Sequence, residues 1–420
     1  MYCGSCLHDN TLATALLARG HDVLLTPTYT PMRTDEPSVA VPRVFVGGVN
    51  AYLEQASGLF RNAPGWLRRL LNHPGFLKVA TSGAGSVDPA GLGPLTVSML
   101  RGEAGNQQRS IDELVDWLVD EARPDVVHLS NSMLLGMARR IQERCGPPVV
   151  CALSGEDVFL EALPAPYYDQ ARELLRERAA EVAAFTTLNA YYADFMADYL
   201  SVDRGKIHVI PHGLSLEGID PVVDRPEKET FVVGFFGRIC HTKGLHLLME
   251  ACELIAENAP EKPIELRAAG YLGAADREYL VDLHRQADHG QMAGRFAYLG
   301  EMDRSQKYEY LRSLDLFCSP AVYAEAKGIP ALEAMAVGTP VVAPNEGSFP
   351  ELIEVTSGGA LHEPRDAESL AEVLLSLLED RETRRGHGQA GAAAIREDYH
   401  ADRMASQTES LYETLVKSGL

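Results

Sequence analysis

Arg238 and Lys243 stand five residues apart in the stretch Gly234-Phe-Phe-Gly237-Arg238-Ile-Cys-His-Thr-Lys243-Gly244. The apolar run ending at Gly237 reads as a strand, and Gly244 opens a helical run. Both cations therefore sit on one strand-to-helix turn and can face one point above a sheet. Two cations beside the N–H groups of a helix start suit a diphosphate. The G-x-x-x-x-G-K-S/T spacing of a Walker loop is absent. On this stretch alone, two surface cations with no ligand read equally well. A second stretch adds carboxylates: Glu325-Ala-Lys-Gly328-Ile329-Pro330-Ala-Leu-Glu333-Ala-Met-Ala-Val-Gly338-Thr-Pro340-Val-Val-Ala. Two glutamates eight apart flank a Gly-Ile-Pro turn that opens a helix. Residues 328–330 offer backbone N–H groups, Pro330 excepted, to an anion. Glu333, in the first helical turn, is placed to accept hydrogen bonds from a ribose diol, and Glu325, ahead of the turn, to meet sugar hydroxyls. The helix dipole alone accounts for Glu333 but not for Glu325.

Elements must hold these groups. Short β-branched runs alternate with longer helical ones, which predicts parallel α/β sheets. Candidate strands lie at 22–26, 43–46, 125–129, 148–153 and 184–188. A second set lies at 230–236, 264–269, 296–299, 315–318 and 340–343, with helices between, such as 110–121, 167–183, 245–257 and 304–313. Residues 216–230, with Pro221, Pro226 and a polar run, read as a linker. The chain thus divides into 1–215, 216–397 and a C-terminal helix over 398–420, expected to pack back on the N-terminal domain. Two doubly wound domains imply a ligand site at the C-terminal strand ends, in a cleft they share.

With 46% hydrophobic residues the chain can fill real cores. Its net charge of −21 argues against nucleic acid as a partner. Seven scattered cysteines fit a reducing cytoplasm better than a disulfide framework. Cys3 and Cys6 form a C-x-x-C with no second pair near it, which speaks against zinc and leaves a redox role as a minor reading. No apolar run approaches the ~18 residues of a membrane span, and the first residues lack the pattern of a signal peptide. Residues 61–78 carry Arg61, Arg68, Arg69 and Lys78 and no acid, with Trp66, Leu67, Leu70 and Leu71 among them. Two readings stand: a surface helix packed on its own domain, or an element that touches an acceptor or a membrane surface peripherally.

The paired glutamates and the Glu-Ala-Met-Ala-x-Gly-Thr-Pro-Val-Val-Ala run resemble the family 4 glycosyltransferases. Arg-Gly-His-Asp-Val at 19–23, Pro-Asp-Val-Val-His at 124–128, Val-Ile-Pro-His-Gly at 209–213, Gly-Arg…Lys-Gly at 237–244 and Tyr-Leu-Gly at 298–300 follow in the same order. The resemblance covers nearly the whole chain and is strongest over 205–350. It implies the GT-B fold, two Rossmann-like domains facing a central cleft, the C-terminal one binding a UDP- or GDP-sugar and the N-terminal one an acceptor, whether glycan, lipid or small molecule. It implies that Arg238 and Lys243 neutralise the leaving diphosphate without a metal or other cofactor, and that the turn at Gly237 and at Gly328, Ile329 and Pro330 cradles it. Glu333 would hold the ribose, main chain at Tyr298 and Leu299 the base, and Glu325 the sugar. Gly4, in the N-terminal glycine loop, would meet the donor. Retention of anomeric configuration follows from the resemblance and not from spacing.

The chain departs from that pattern in three places. The segment Cys-Ala-Leu-Ser154-Gly155-Glu156-Asp157 lacks the histidine often found there, leaving Asp157 or Ser154 to substitute, with His128 as a further candidate or a structural residue. Lys327 stands where the family usually has Phe. The first strand expected before Gly4 is absent, so the natural polypeptide is expected to begin about 8–12 residues upstream. A weakly catalytic nucleotide-sugar-binding protein is the alternative function. An oxidoreductase is disfavoured because no G-x-G-x-x-G follows a strand.

Overall fold

The computed structural model describes residues 4–29, 31–32, 34–56, 89–222 and 229–419. The basic stretch 61–78, Cys3 and part of the expected linker lie outside them. The chain forms two compact units. One holds Ser5–Pro211 with Met404–Leu420, and the other Met1–Gly4 with His212–Arg403.

The N-terminal unit contains α1 (Gly4–Ala18), α2 (Gly48–Ala56), α3 (Pro89–Leu100), α4 (Gln108–Trp117), β1 (Val127–Leu129), α5 (Ala138–Cys145), β2 (Val149–Ala152), α6 (Asp157–Glu161), α7 (Tyr167–Ala179), β3 (Ala184–Thr187), α8 (Ala190–Leu200) and β4 (Ile207–Val209). The strands pair in parallel in the order β1-β2-β3-β4. Every residue of β2 is buried, which is why Val-Val-Cys-Ala shows no polar alternation. Leu12 and Leu16 of α1 join Val150 and Ala184 in one core with Met404, Ala405, Leu411 and Leu415 of the last helix, α16 (Ala401–Ser418). Each such Leu, Val or Met side chain taken fully out of water contributes about 1.5–3 kcal/mol.

The C-terminal unit contains β5 (Phe231–Phe236), α9 (Leu245–Asn258), β6 (Ile264–Ala269), α10 (Arg277–His289), β7 (Phe296–Tyr298), α11 (Arg304–Ser313), β8 (Leu316–Cys318), α12 (Ile329–Ala336), β9 (Val341–Pro344), α13 (Phe349–Thr356), β10 (Gly359–His362), α14 (Ala367–Glu379) and α15 (Arg381–Asp398). Its strands are parallel in the order β10-β9-β8-β5-β6-β7. The order reverses between β5 and β8. That is the switch point at which open α/β sheets leave a crevice beyond their strand ends.

Two expectations need correcting. Residues 22–26 and 43–46 form no strand; Leu25 and Ala40 make a single parallel bridge. The side chains there pack inward all the same, with Phe45 and Val46 buried, but a ladder needs a partner along its length and only one pair is in register. The start of the expected linker is not a free tether. Ile219 is buried, its carbonyl accepts from Arg396 Nη2 at 2.7 Å, and Val222 N–H donates to the Val337 carbonyl at 2.9 Å. In the tail, α15 ends at Asp398 and the last helix, α16, spans Ala401–Ser418.

Candidate active site

The loop after β5 and the loop after β8 meet at the switch point of the C-terminal sheet. Gly237 N–H donates to the Ala269 carbonyl at 3.1 Å, fixing the chain as it leaves β5. Arg238 follows, exposed, with its Nε 3.2 Å from Cys240 Sγ. Residues His241–Lys243 make one tight turn that ends at Gly244, whose φ is +75°. A Cβ built on Gly244 would stand 1.8 Å from the Pro320 carbonyl oxygen, so only glycine lets the two loops close on each other. Val322 N–H then donates to the Thr242 carbonyl at 3.1 Å, tying the loops together.

This closure brings Lys243 to Glu325. The ammonium donates to Glu325 Oε2 and to Tyr323 Oη, the latter at 2.6 Å, and Tyr323 O–H donates to the same Glu325 oxygen at 2.6 Å. Burial by itself would raise the Glu325 carboxyl, but the adjacent Lys243 charge outweighs it and holds the group down at about 2. Burial likewise disfavours the Lys243 ammonium, and Glu325 and Tyr323 more than restore it, so its pKa is raised. The Tyr323 hydroxyl is pushed up by burial and then by Glu325. The cluster is thus a cation held by a carboxylate, next to the exposed Arg238.

Gly328 caps α12 with φ +61°, and the Ala331 N–H donates to its carbonyl at 2.9 Å. Ile329 and Pro330 form the first turn. Glu333 lies one turn further in and is buried, with Oε1 accepting from Lys307 Nζ at 2.5 Å. Lys307 belongs to α11, whose start is fixed by an Asp303–Gln306 capping box, and its side chain is only 4% exposed. His212 sits in the same unit, buried; burial, then the charges of Lys327 and Lys307, lower it to about 3, so it is neutral.

Two families match the chain, one after the other. The glycosyl transferase 4-like domain matches residues 10–213, and glycosyl transferases group 1 matches 219–393. The chain belongs to the family 4 glycosyltransferases. Over 215 residues it is 30% identical to the phosphatidyl-myo-inositol mannosyltransferase of Mycolicibacterium smegmatis, covering 50% of this chain and 53% of that one. It is 26% identical to the D-inositol 3-phosphate glycosyltransferase of Paenarthrobacter aurescens over 370 residues, 82% of this chain and 88% of that one. The chain spans about half the length of the mycobacterial relatives it matches. Among solved structures, Anabaena Alr3699/HepE in complex with UDP aligns at a TM-score of 0.63 and 17% identity, over 93% of this chain and all of that one, which shows the GT-B fold.

The remaining residues of the glycosyltransferase pattern fall as follows. A Cβ on Gly4 would stand 3.5 Å from Ile329 Cδ1 and 3.9 Å from Lys327 Cδ. Leu299 N–H donates to the Ala268 carbonyl at 2.8 Å, so that amide belongs to the sheet, while the Leu299 side chain is exposed. Tyr298 O–H donates to the Gly270 carbonyl at 2.7 Å. Asp157 lies in the N-terminal unit, where its Oδ1 accepts from Tyr192 O–H at 2.6 Å and the Gly155 N–H donates to that same Tyr192 oxygen at 2.9 Å. The buried carboxylate of that loop is Glu156, which accepts from the Ser154 N–H at 2.7 Å and the Ser132 N–H at 3.0 Å. His128 is fixed by Tyr412 Oη at 2.6 Å and Thr186 Oγ1 at 3.3 Å, and burial lowers it to about 4. Sequence reasoning missed Tyr323 and Lys307. Tyr323 had a signal, standing two residues before Glu325. Lys307 had none, since a lysine on a polar helix gives no sign of burial.

Among the described residues, no group of three or more His, Cys, Asp or Glu side chains is placed to hold a metal ion. Among them also, no helix is long and apolar enough to cross a membrane.

Proposed function

We propose that the chain is a retaining glycosyltransferase, moving a hexose from a UDP- or GDP-sugar to a glycan, lipid or small-molecule acceptor without a metal. The observation that carries this reading is the Lys243–Tyr323–Glu325 cluster beside Arg238 at the switch point of the C-terminal sheet. A donor diphosphate entering there exchanges Glu325 for phosphate oxygens as the partner of Lys243. Arg238 and Lys243 then stabilise the charge that develops on the leaving diphosphate, which is worth most in a dry, preorganised site. Gly328 and Ile329 offer N–H groups at a helix start, Glu333 meets the ribose, and main chain at Tyr298 and Leu299 lies beside the base. Glu325, released from Lys243, orients sugar hydroxyls, and Asp157 stands in for the histidine absent from its loop. Two relatives are named for inositol-containing acceptors, which makes these the first acceptors to try.

A thermal-shift panel of UDP-, GDP- and ADP-sugars identifies the donor, because a bound ligand raises the melting temperature by mass action. Product anomers read by NMR then test retention, and assays with and without a chelator test metal independence. One observation favours a weakly catalytic binder instead: Asp157 is already engaged by Tyr192 and no histidine stands in its loop. Donor hydrolysis without acceptor separates the two, since a binder leaves the donor intact.

A further inference from the structure

Lys307 and Glu333 form an ion pair, Nζ to Oε1 at 2.5 Å, in which the two side chains are only 4% and 3% exposed. Taking both charges out of water is costly, and well-packed apolar residues of similar size usually hold a fold together at least as well. Stability alone is therefore a poor reason for the pair, and its place in the fold supplies a better one. Lys307 lies on α11, which follows β7 after only the loop 299–303. That loop is anchored: Leu299 N–H donates to the Ala268 carbonyl at 2.8 Å, and the Gly300 carbonyl accepts from Gly270 N–H at 2.9 Å. The Asp303–Gln306 capping box fixes where α11 starts, and Lys307 N–H donates to the Asp303 carbonyl at 2.9 Å, so Lys307 stands one turn from the loop. Glu333 stands one turn from Gly328, at the start of α12. At the far end of α11 the Leu311 carbonyl accepts from Thr339 Oγ1 at 2.7 Å. The ion pair thus joins the element assigned to the base with the element assigned to the ribose.

The groups around the pair are cationic or neutral. His212 feels the charges of Lys327 and Lys307, and burial together with those charges holds it neutral, at about 3. The Tyr308 ring lies 5.1 Å from Lys307 Nζ, with Arg304 Cζ 5.0 Å from the same ring. Among these groups Glu333 is the carboxylate, and Lys307 is the cation in contact with it. A carboxylate stays ionised in a buried place only against a counter-charge; without one it takes up a proton. Resting on the reading of Glu333 as the ribose carboxylate, we propose that Lys307 is a positioning residue for nucleoside recognition. It keeps Glu333 ionised and aimed, ties it to the base loop, and so sets the preference for ribose over deoxyribose. An anionic Glu333 accepts strongly from a ribose hydroxyl, and a neutral carboxyl in its place accepts more weakly.

Calorimetric titration of the full chain with UDP and GDP, and with their 2′- and 3′-deoxy forms, at pH 6, 7.5 and 9 is the test. The ratio of ribose to deoxyribose affinity cancels the ionisation of the terminal phosphate, which both ligands share. Wild type should favour ribose over at least one deoxy form about tenfold at every pH, the worth of one hydrogen bond to a charged group. Lys307→Arg should keep most of that preference. Lys307→Met and Lys307→Gln both remove the charge, the second keeping a hydrogen bond, so one folded variant suffices. Their preference should fall to about twofold at pH 6 and recover in part at pH 9, where the unpaired carboxyl ionises. Lys307→Met/Glu333→Gln should show about twofold or less at every pH, while its urea midpoint matches wild type because a neutral pair replaces an ionic one. A loss of preference in either charge-free variant that is the same at all three pH values overturns the proposal. So does full preference in those variants when Glu333→Gln has lost it, an outcome that leaves Glu333 at the ribose. No preference in the wild type removes Glu333 from the ribose and overturns both.

Discussion

The two parallel sheets treat the polar groups near their C-terminal strand ends in opposite ways. In the C-terminal unit, Lys243, Tyr323 and Glu325 satisfy one another across two loops. In the N-terminal unit, Glu156 holds two backbone amides, Asp157 holds Tyr192, and His128 is held by Tyr412 and Thr186. Glu156 and His128 fix loops and packing. The difference follows from topology. A six-stranded sheet whose order reverses brings two loops from neighbouring strands to one point, whereas among the described residues the four strands of the other sheet run in simple sequence without a reversal. Charge collects where two loops can share it.

This contrast can be broken most forcefully at Lys243. Lys243→Ala is expected to lower turnover by about 10²–10³-fold, as loss of one donor to a developing oxyanion does. Arg238→Ala should fall in the same range, and steady-state kinetics of donor consumption checks both. Asp157→Asn tests the other unit. It is expected to cost about tenfold in kcat/KM, the loss of one hydrogen bond to a charged group. A loss as large as that of Lys243→Ala would erase the contrast. Glu333→Gln should weaken donor binding several-fold by turning a charge-assisted contact neutral, and the preference for ribose over 2′-deoxyribose donors, measured by competition, should shrink with it.

The smallest effect is on pH stability. Burial holds His128 neutral down to about 4, whereas an unfolded histidine protonates near 6.5. The unfolded chain therefore binds more protons between these values, so the stabilisation is complete above pH 6.5 and is lost as pH falls toward 4. Urea midpoints of wild type and His128→Asn at pH 7 and pH 5 should differ in slope, the variant losing less on acidification.

Much of the C-terminal site was legible because its signals are local. Arg238 and Lys243 share a turn, Glu325 and Glu333 share a loop and helix start, and the β-branched runs gave the strand positions within a few residues. Partnerships across long separations were not. Lys243 meets Tyr323 80 residues away and Lys307 meets Glu333 26 away, and only folded loops bring them together. Residues 22–26 and 43–46 teach the same point. Their apolar pattern correctly places Phe45 and Val46 inside, but pattern reports burial and not pairing, and a strand exists only with a neighbour. Gly359–His362 went unseen because it opens on glycine and carries no β-branched residue, yet β9 pairs with it throughout.

The central claim is that a diphosphate binds at Arg238 and Lys243, and calorimetric titration of UDP and GDP tests it most directly. Lys243→Ala alone leaves Glu325 buried without its cation, so the informative set is wild type, Arg238→Ala and the double variant Lys243→Ala/Glu325→Gln. Wild type should bind one of the two diphosphates well above the matching monophosphate. Both variants should lose at least about 30-fold, roughly 2 kcal/mol, for the diphosphate, and much less for the monophosphate. Equal affinity for the diphosphate in all three proteins would contradict the account.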